Sequence, residues 1–216
     1  MDLRGKRAVI VSGGSLGDWT LQEIGPNDQI IGVDRGALFL IRHGITPHVA
    51  IGDFDSVTAQ ELEEIRSGST HTEACDPVHK NWTDTEWAFH WALAQQPAEI
   101  VLVGALGTRF DHSLANVHLL SIALRKGVAC AILDKHNRIV AVNRSIRLKP
   151  DPRYAQVSLL PLTMEVTGIT LEGFQYPLND ATLTIGDSLG ISNVLLADEG
   201  LIRVKEGVLL VICSID

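Results

Sequence analysis

Short apolar runs that end on glycine or aspartate, alternating with stretches of helical length, fill the first two thirds of this 216-residue chain. Ala8-Val9-Ile10-Val11 leads into Ser12-Gly13-Gly14, and Gln29–Val33 leads into Asp34-Arg35-Gly36. Residues 48–52 lead into Asp53-Phe54-Asp55-Ser56, Glu99–Val103 into Gly104-Ala105-Leu106-Gly107, and a fifth run spans 128–133. Helical patterns lie between them at 37–43, 59–67, 85–94 and 112–126. A strand that is apolar on both sides needs cover above and below. The alternation therefore predicts an α/β fold, a Rossmann-like parallel sheet with helices on both faces.

The pattern changes near 145. All eight histidines lie at or before His136 and all four tryptophans at or before Trp91. Beyond Pro150-Asp151-Pro152, which reads as a linker, apolar runs at 156–160, 164–171, 181–185, 201–204 and 208–213 are separated by Pro, Gly, Asn and Asp, with no helical period. Lys205-Glu206-Gly207 reads as a hairpin connection. We expect two domains: an α/β nucleotide-binding, catalytic domain at 1–144 and a small all-β sandwich at 145–216.

Composition narrows the function classes. Hydrophobic residues at 45% and charged residues at 20% exclude disorder as the main state. The net charge of −8, with no Lys/Arg tract, argues against binding nucleic acid through its phosphates. Met1 to Arg7 precede only four apolar residues, and the longest apolar run, 208–213, is far short of a membrane span. A cytoplasmic protein without a membrane role is expected. Cys75, Cys130 and Cys213 are too scattered for a disulfide framework or a zinc site, and no Gly-x-Ser-x-Gly elbow is present.

Ligands of open parallel sheets bind beyond the carboxyl ends of the strands. Here those ends carry Gly13, Gly14, Asp34, Arg35 and Gly36, then Asp53 and Asp55, then the stretch from Gly104 to Arg109. Glycines admit backbone amides to an anion, and carboxylates hold a divalent cation. A polyphosphate with Mg²⁺ satisfies both. If the chain stays extended past Gly52, Asp53 and Asp55 share one face, roughly 6–7 Å apart, and Phe54 points into the core. They either bind a cation or cap a turn. Asp84 either joins them or caps the helix at 85–94, whose Trp87, Trp91 and Ala94 read as a core stripe. Before the helix at 112–126, Arg109 and the helix amides suit phosphate oxygens. Asp111 is a cap, a ligand or a proton acceptor, and His112 either packs there or meets the nucleotide.

Several segments together resemble the thiamine pyrophosphokinase family. They are Val33-Asp34-Arg35-Gly36-Ala37, Gly44-Ile45-Thr46-Pro47, Gly52-Asp53-Phe54-Asp55-Ser56-Val57, Thr83-Asp84 and Arg109-Phe110-Asp111-His112, then Gly173 to Leu178 and Gly190-Ile191-Ser192-Asn193. The resemblance implies transfer of a pyrophosphoryl group from ATP to the hydroxyethyl oxygen of thiamine, yielding thiamine diphosphate and AMP. It further implies a homodimer with thiamine bound between subunits. By motif position, Asp53, Asp55 and Asp84 bind Mg²⁺, while Arg109 and Asp111 belong to the phosphate and catalytic site. Tyr176 stacks on thiamine, and Ser192 and Asn193 hold its pyrimidine. The chain departs from the family pattern at Asn81, Trp87 and Thr108, where an acid, a lysine and a glycine are usual. Those departures also fit a related enzyme acting on another primary alcohol, such as a hydroxymethyl-pterin, or a non-catalytic thiamine or nucleotide sensor.

Overall fold

The computed structural model describes residues 3–74 and 82–216, which divide into two compact units, Met1–Lys135 and His136–Asp216. The first unit alternates strand and helix. In chain order it holds β1 (Arg7–Val11), α1 (Asp18–Gln22), β2 (Gln29–Val33), α2 (Arg35–Arg42), β3 (Val49–Gly52) and α3 (Ala59–Gly68). Then follow β4 (Thr72–Ala74), α4 (Asp84–Ala94), β5 (Glu99–Val103), α5 (Phe110–Arg125) and β6 (Ala129–Leu133). The strands pair in parallel in the order β4-β3-β2-β1-β5-β6.

The chain moves outward from β1 to β4 and then returns past β1 to lay down β5 and β6. Right-handed crossovers made in opposite directions put their helices on opposite faces. The central strands are accordingly buried throughout, with Ala8, Val9, Ile10 and Val11 fully inaccessible. The reversal also creates a crevice at the carboxyl ends of β1 and β5, the place where such sheets bind ligands.

Two details differ from expectation. The short α1 and β4 were invisible in the sequence because neither is long enough to show a period. In α4 the buried residues are Ala88, Phe89 and Ala92, while Trp87 and Trp91 are only partly covered. The helix is apolar nearly all round, so spacing alone did not show which side faces inward.

The second unit contains β7 (Asn137–Val142), β8 (Ile146–Leu148), β9 (Gln156–Pro161), β10 (Glu165–Glu172), β11 (Leu178–Thr184), β12 (Gly200–Arg203) and β13 (Leu209–Ser214). One antiparallel layer is β7-β13-β9 and the other is β11-β10-β12-β8. Val157, Leu159, Leu209 and Val211 of the first layer share a core with Val166, Ile169, Leu183 and Ile202 of the second. This is a β-sandwich. β7 pairs with β13 along six residues, so the second unit begins at His136, ahead of the boundary expected at 145. Lys205-Glu206-Gly207 does not join a hairpin: β12 and β13 lie in different layers, and residues 205 and 206 bond instead to Thr167.

Candidate nucleotide and metal site

The crevice of the first unit is built from backbone. After β1 and β5 the two loops lie against each other: Gly14 N–H donates to Gly104 O and Ser15 N–H to Leu106 O, each at 2.8 Å. A Cβ on Gly14 would run into both of those carbonyls, so only glycine fits. Asn116, buried on α5, donates to Ala105 O at 2.7 Å and fixes the second loop from below. The buried Ser12 accepts a bond from Thr85 at 2.9 Å, which ties the first loop to the start of α4.

Opposite the loops stand the acids. Thr83 caps α4 by accepting from Glu86 N–H, so the Asp84 carboxylate has no capping duty. Its Oδ1 accepts the Asp53 N–H at 3.1 Å. Past Gly52 the chain does not stay extended: Phe54 takes φ 58°, and Asp55 N–H folds back to Asp53 Oδ1 at 3.0 Å. Phe54 is buried as expected, but Asp53 and Asp55 do not form a same-face pair on a strand.

Asp34 completes the group. It follows β2 with φ 46° and ψ −117°, a backbone state unusual for any residue but glycine, and its Oδ1 accepts the Phe54 N–H at 3.1 Å. Gly52 is bare where this carboxylate rests; a Cβ there would strike Asp34 Oδ1. Oxygens of Asp34, Asp53 and Asp84 all lie within 4.8 Å of one another. Burial, and next the charge of Asp84, push the Asp34 carboxyl up to about 7, while the charge of Asp53 raises that of Asp55.

These features enclose a cavity of about 500 Å³. Of the residues anticipated from the sequence, Gly13, Gly14, Asp34, Arg35, Asp55, Asp84, Arg109 and His112 line it. Asp53 joins through the acidic group. Gly36 sits beneath, in α2, against the backbone of Val11 and Ser12. Asp111 is held outside by its ion pair with Arg109 at 2.7 Å, which lowers its carboxyl below the usual range. Arg109, the N-cap residue, does not cap α5 by its side chain, whereas the Asp111 carboxylate accepts the His112 backbone N–H in the first turn. Thr108 lines the cavity, and Asn81 lies outside the described residues.

Sequence reasoning assigned Asp34 to the nucleotide rather than to the acidic group, and did not find Ser12, Thr85, Ser113 or Asn116, which also border the cavity. The signal for Asp34 was its place at a strand end two residues before a glycine. The others are small polar residues with no spacing that marks them.

In the second unit the side chain of Asn193, 4% exposed, accepts the Tyr176 N–H at 3.0 Å and donates to Tyr176 O at 2.7 Å. It clasps the segment carrying Tyr176, whose ring is 58% exposed. Ser192 is exposed at φ 58°, its N–H on Ser158 Oγ at 3.0 Å.

A family model described as thiamin pyrophosphokinase, catalytic domain, matches residues 21–132, and one described as thiamin pyrophosphokinase, vitamin B1 binding domain, matches 143–209. The chain belongs to the thiamine pyrophosphokinase family. Thiamine pyrophosphokinase of Bacillus subtilis is 35% identical over 187 residues, covering 86% of this chain and 87% of the relative. The crystal structure of the Bacillus subtilis protein superposes with a TM-score of 0.91 at 34% identity, covering 98% of this chain and 100% of that one. The thiamin pyrophosphokinase structure from Geobacillus thermodenitrificans gives 0.88 at 33% identity, over 97% and 98%. Most of the crevice and the clasped Tyr176 segment fall in separately matched domains, one in each unit, while the crevice loop from Ser12 to Gly14 precedes the first match.

Proposed function

We propose that the chain transfers a pyrophosphoryl group from ATP to the hydroxyethyl oxygen of thiamine. That oxygen attacks the β-phosphorus, the bond from the β-phosphorus to the oxygen bridging it to the α-phosphorus breaks, and AMP leaves while the alcohol proton is lost. The observation that carries the reading is the crevice itself: bare-glycine loops face three converging carboxylates at the reversal point of the sheet, in a chain of this family.

The donor set fits Mg²⁺. Three carboxylate oxygens are hard ligands at a spacing one cation can bridge, and a cation there would relieve the charge of Asp84, Asp53 and Asp55 that crowds the half-buried Asp34. Asp34, Asp53 and Asp84 would hold the ion, with Asp55 at the cavity wall beside them. Bound there, Mg²⁺ supplies charge compensation to phosphate oxygens.

The chain's own groups do the rest. The Gly13–Gly14 and Gly104–Gly107 loops offer the phosphates a close approach to bare backbone, although the Gly14 N–H is spent on Gly104 O and the Gly107 N–H on Ser113 Oγ, and Arg35 and Arg109 add positive charge at the cavity. Such transfer depends on alignment and charge more than on a covalent nucleophile. Asp111, stabilised as a carboxylate by Arg109, is a weak base; its part is to orient the guanidinium. His112 borders the nucleotide.

We assign thiamine recognition to the second unit, with Tyr176 as the exposed aromatic surface for the cationic ring and Ser192 as the accessible hydroxyl. Asn193 spends its side chain on the Tyr176 backbone and so shapes that surface. Met164, Ile185, Leu189, Ile191 and Leu196 of this unit are exposed apolar side chains, which supports a homodimer that covers them and binds thiamine at the interface. Among the described residues no helix is long and apolar enough to cross a membrane; we place the enzyme in the cytoplasm.

Purified protein with ATP, Mg²⁺ and thiamine is expected to form AMP and thiamine diphosphate in equal amounts. ADP with thiamine monophosphate, or turnover of a hydroxymethyl-pterin in preference to thiamine, would overturn the assignment.

A further inference from the structure

The β-sandwich contains a second cavity, of about 620 Å³, that none of the chemistry above uses. It opens between the two layers, where β7, β9 and β13 of one approach β8 of the other. Val157, Cys213, Leu148 and Leu195 give it an apolar wall, with the ring of Tyr154 beside them. Cys213 is 6% exposed and its thiol is pushed up by burial, so it acts here as a small apolar group.

The mouth is cationic. Arg138, Arg147 and Lys149 border the cavity along with only two acids, Asp151 and Glu199. Glu199 is engaged by Arg147, and Asp151 by Arg153 at 2.9 Å. Arg138 lies near enough to act electrostatically on Asp151 and Cys213, yet neither Arg138 nor Lys149 forms an ion pair among the described residues. Three cations against two acids above an apolar wall give this mouth a positive excess in a chain of net charge −8. The volume lies within the usual range of small-molecule sites.

We propose that this cavity binds a small organic anion: an apolar body against Leu148, Val157, Leu195 and Cys213, and a carboxylate or phosphate head between Arg138 and Lys149. Its walls share no residue with the nucleotide crevice or with Tyr176, Ser192 and Asn193. Occupancy is therefore independent of ATP.

Isothermal titration of the full chain with octanoate, octyl phosphate and 1-octanol tests this. Both anions are expected to bind at least about tenfold more tightly than the alcohol, and the tighter anion identifies the head group. The double variant Arg138→Gln/Lys149→Gln should lose about tenfold in anion affinity, leaving 1-octanol binding and thiamine diphosphate formation unchanged. Equal binding of octanoate, octyl phosphate and octanol, no binding of either anion, undiminished anion binding by the variant, or displacement by α,β-methylene-ATP with Mg²⁺ would each overturn the proposal.

Discussion

The backbone N–H of Asp53 donates to Oδ1 of Asp84 across 3.1 Å, joining the end of β3 to the first turn of α4 over 31 residues of chain. That bond aims two carboxylates from distant segments at one point, and Asp34 closes the group from the neighbouring strand end.

The group makes Asp84→Asn informative. The amide keeps an acceptor for Asp53 N–H but removes a charge, so the fold should persist while kcat falls by about 100-fold or more. Asp55→Asn, outside the converging trio, should lose roughly tenfold or less. Steady-state rates across a Mg²⁺ titration decide it; equal losses for the two variants would count against the trio.

Stability without divalent ions should depend on Asp34. Unfolded, this carboxyl ionises near 3.8; folded, near 7. Between those values the folded chain holds a proton that the unfolded chain has released, so the contribution is present at low pH and lost as pH rises through about 7. In EDTA, Tm at pH 6 is expected to exceed that at pH 8 by several degrees, roughly 2–4 °C per kcal/mol. Asp34→Asn should flatten the difference, and so should saturating Mg²⁺. A slope that survives in the variant would refute the assignment.

The sheet was legible because its strands are apolar on both sides and end on Gly or Asp, a pattern few other folds require. The sandwich followed from short apolar runs between turn residues with no helical period, although Lys205-Glu206-Gly207 imitated a hairpin where the chain changes layer. The acids were legible one by one and their grouping was not. Asp53 and Asp55 are neighbours as the spacing suggested, but through a left-handed turn at Phe54 rather than along a strand, and a further acid, Asp34, joins the group from the end of β2. Contacts between segments so far apart leave no mark in a local pattern.

Asn193 and Ser192 separate shape from recognition. Asn193→Ala strips partners from the Tyr176 N–H and C=O and should cost about 1–3 kcal/mol, raising KM for thiamine through a loosened Tyr176. Ser192→Ala should raise that KM with Tm unchanged, because its structural bond uses only the backbone N–H. Thermal melts beside thiamine kinetics distinguish the two; a stability loss in Ser192→Ala or none in Asn193→Ala contradicts these roles.

Gly14→Ala pushes a methyl group into Gly104 O and Leu106 O. The two loops must part, at about 1–3 kcal/mol for an overpacked site. KM for ATP should rise while thiamine binding, measured directly, is retained. Unchanged ATP kinetics would show that the loop pairing does not shape the nucleotide site.

The most direct measurement is an anomalous difference map from crystals grown with Mn²⁺ and α,β-methylene-ATP, whose bridging carbon blocks the reaction. A metal peak within about 2.5 Å of carboxylate oxygens from Asp34, Asp53 and Asp84, beside phosphates on the two glycine loops, is the predicted result. A metal held away from those three residues, or a nucleotide seated elsewhere on the chain, would contradict the account.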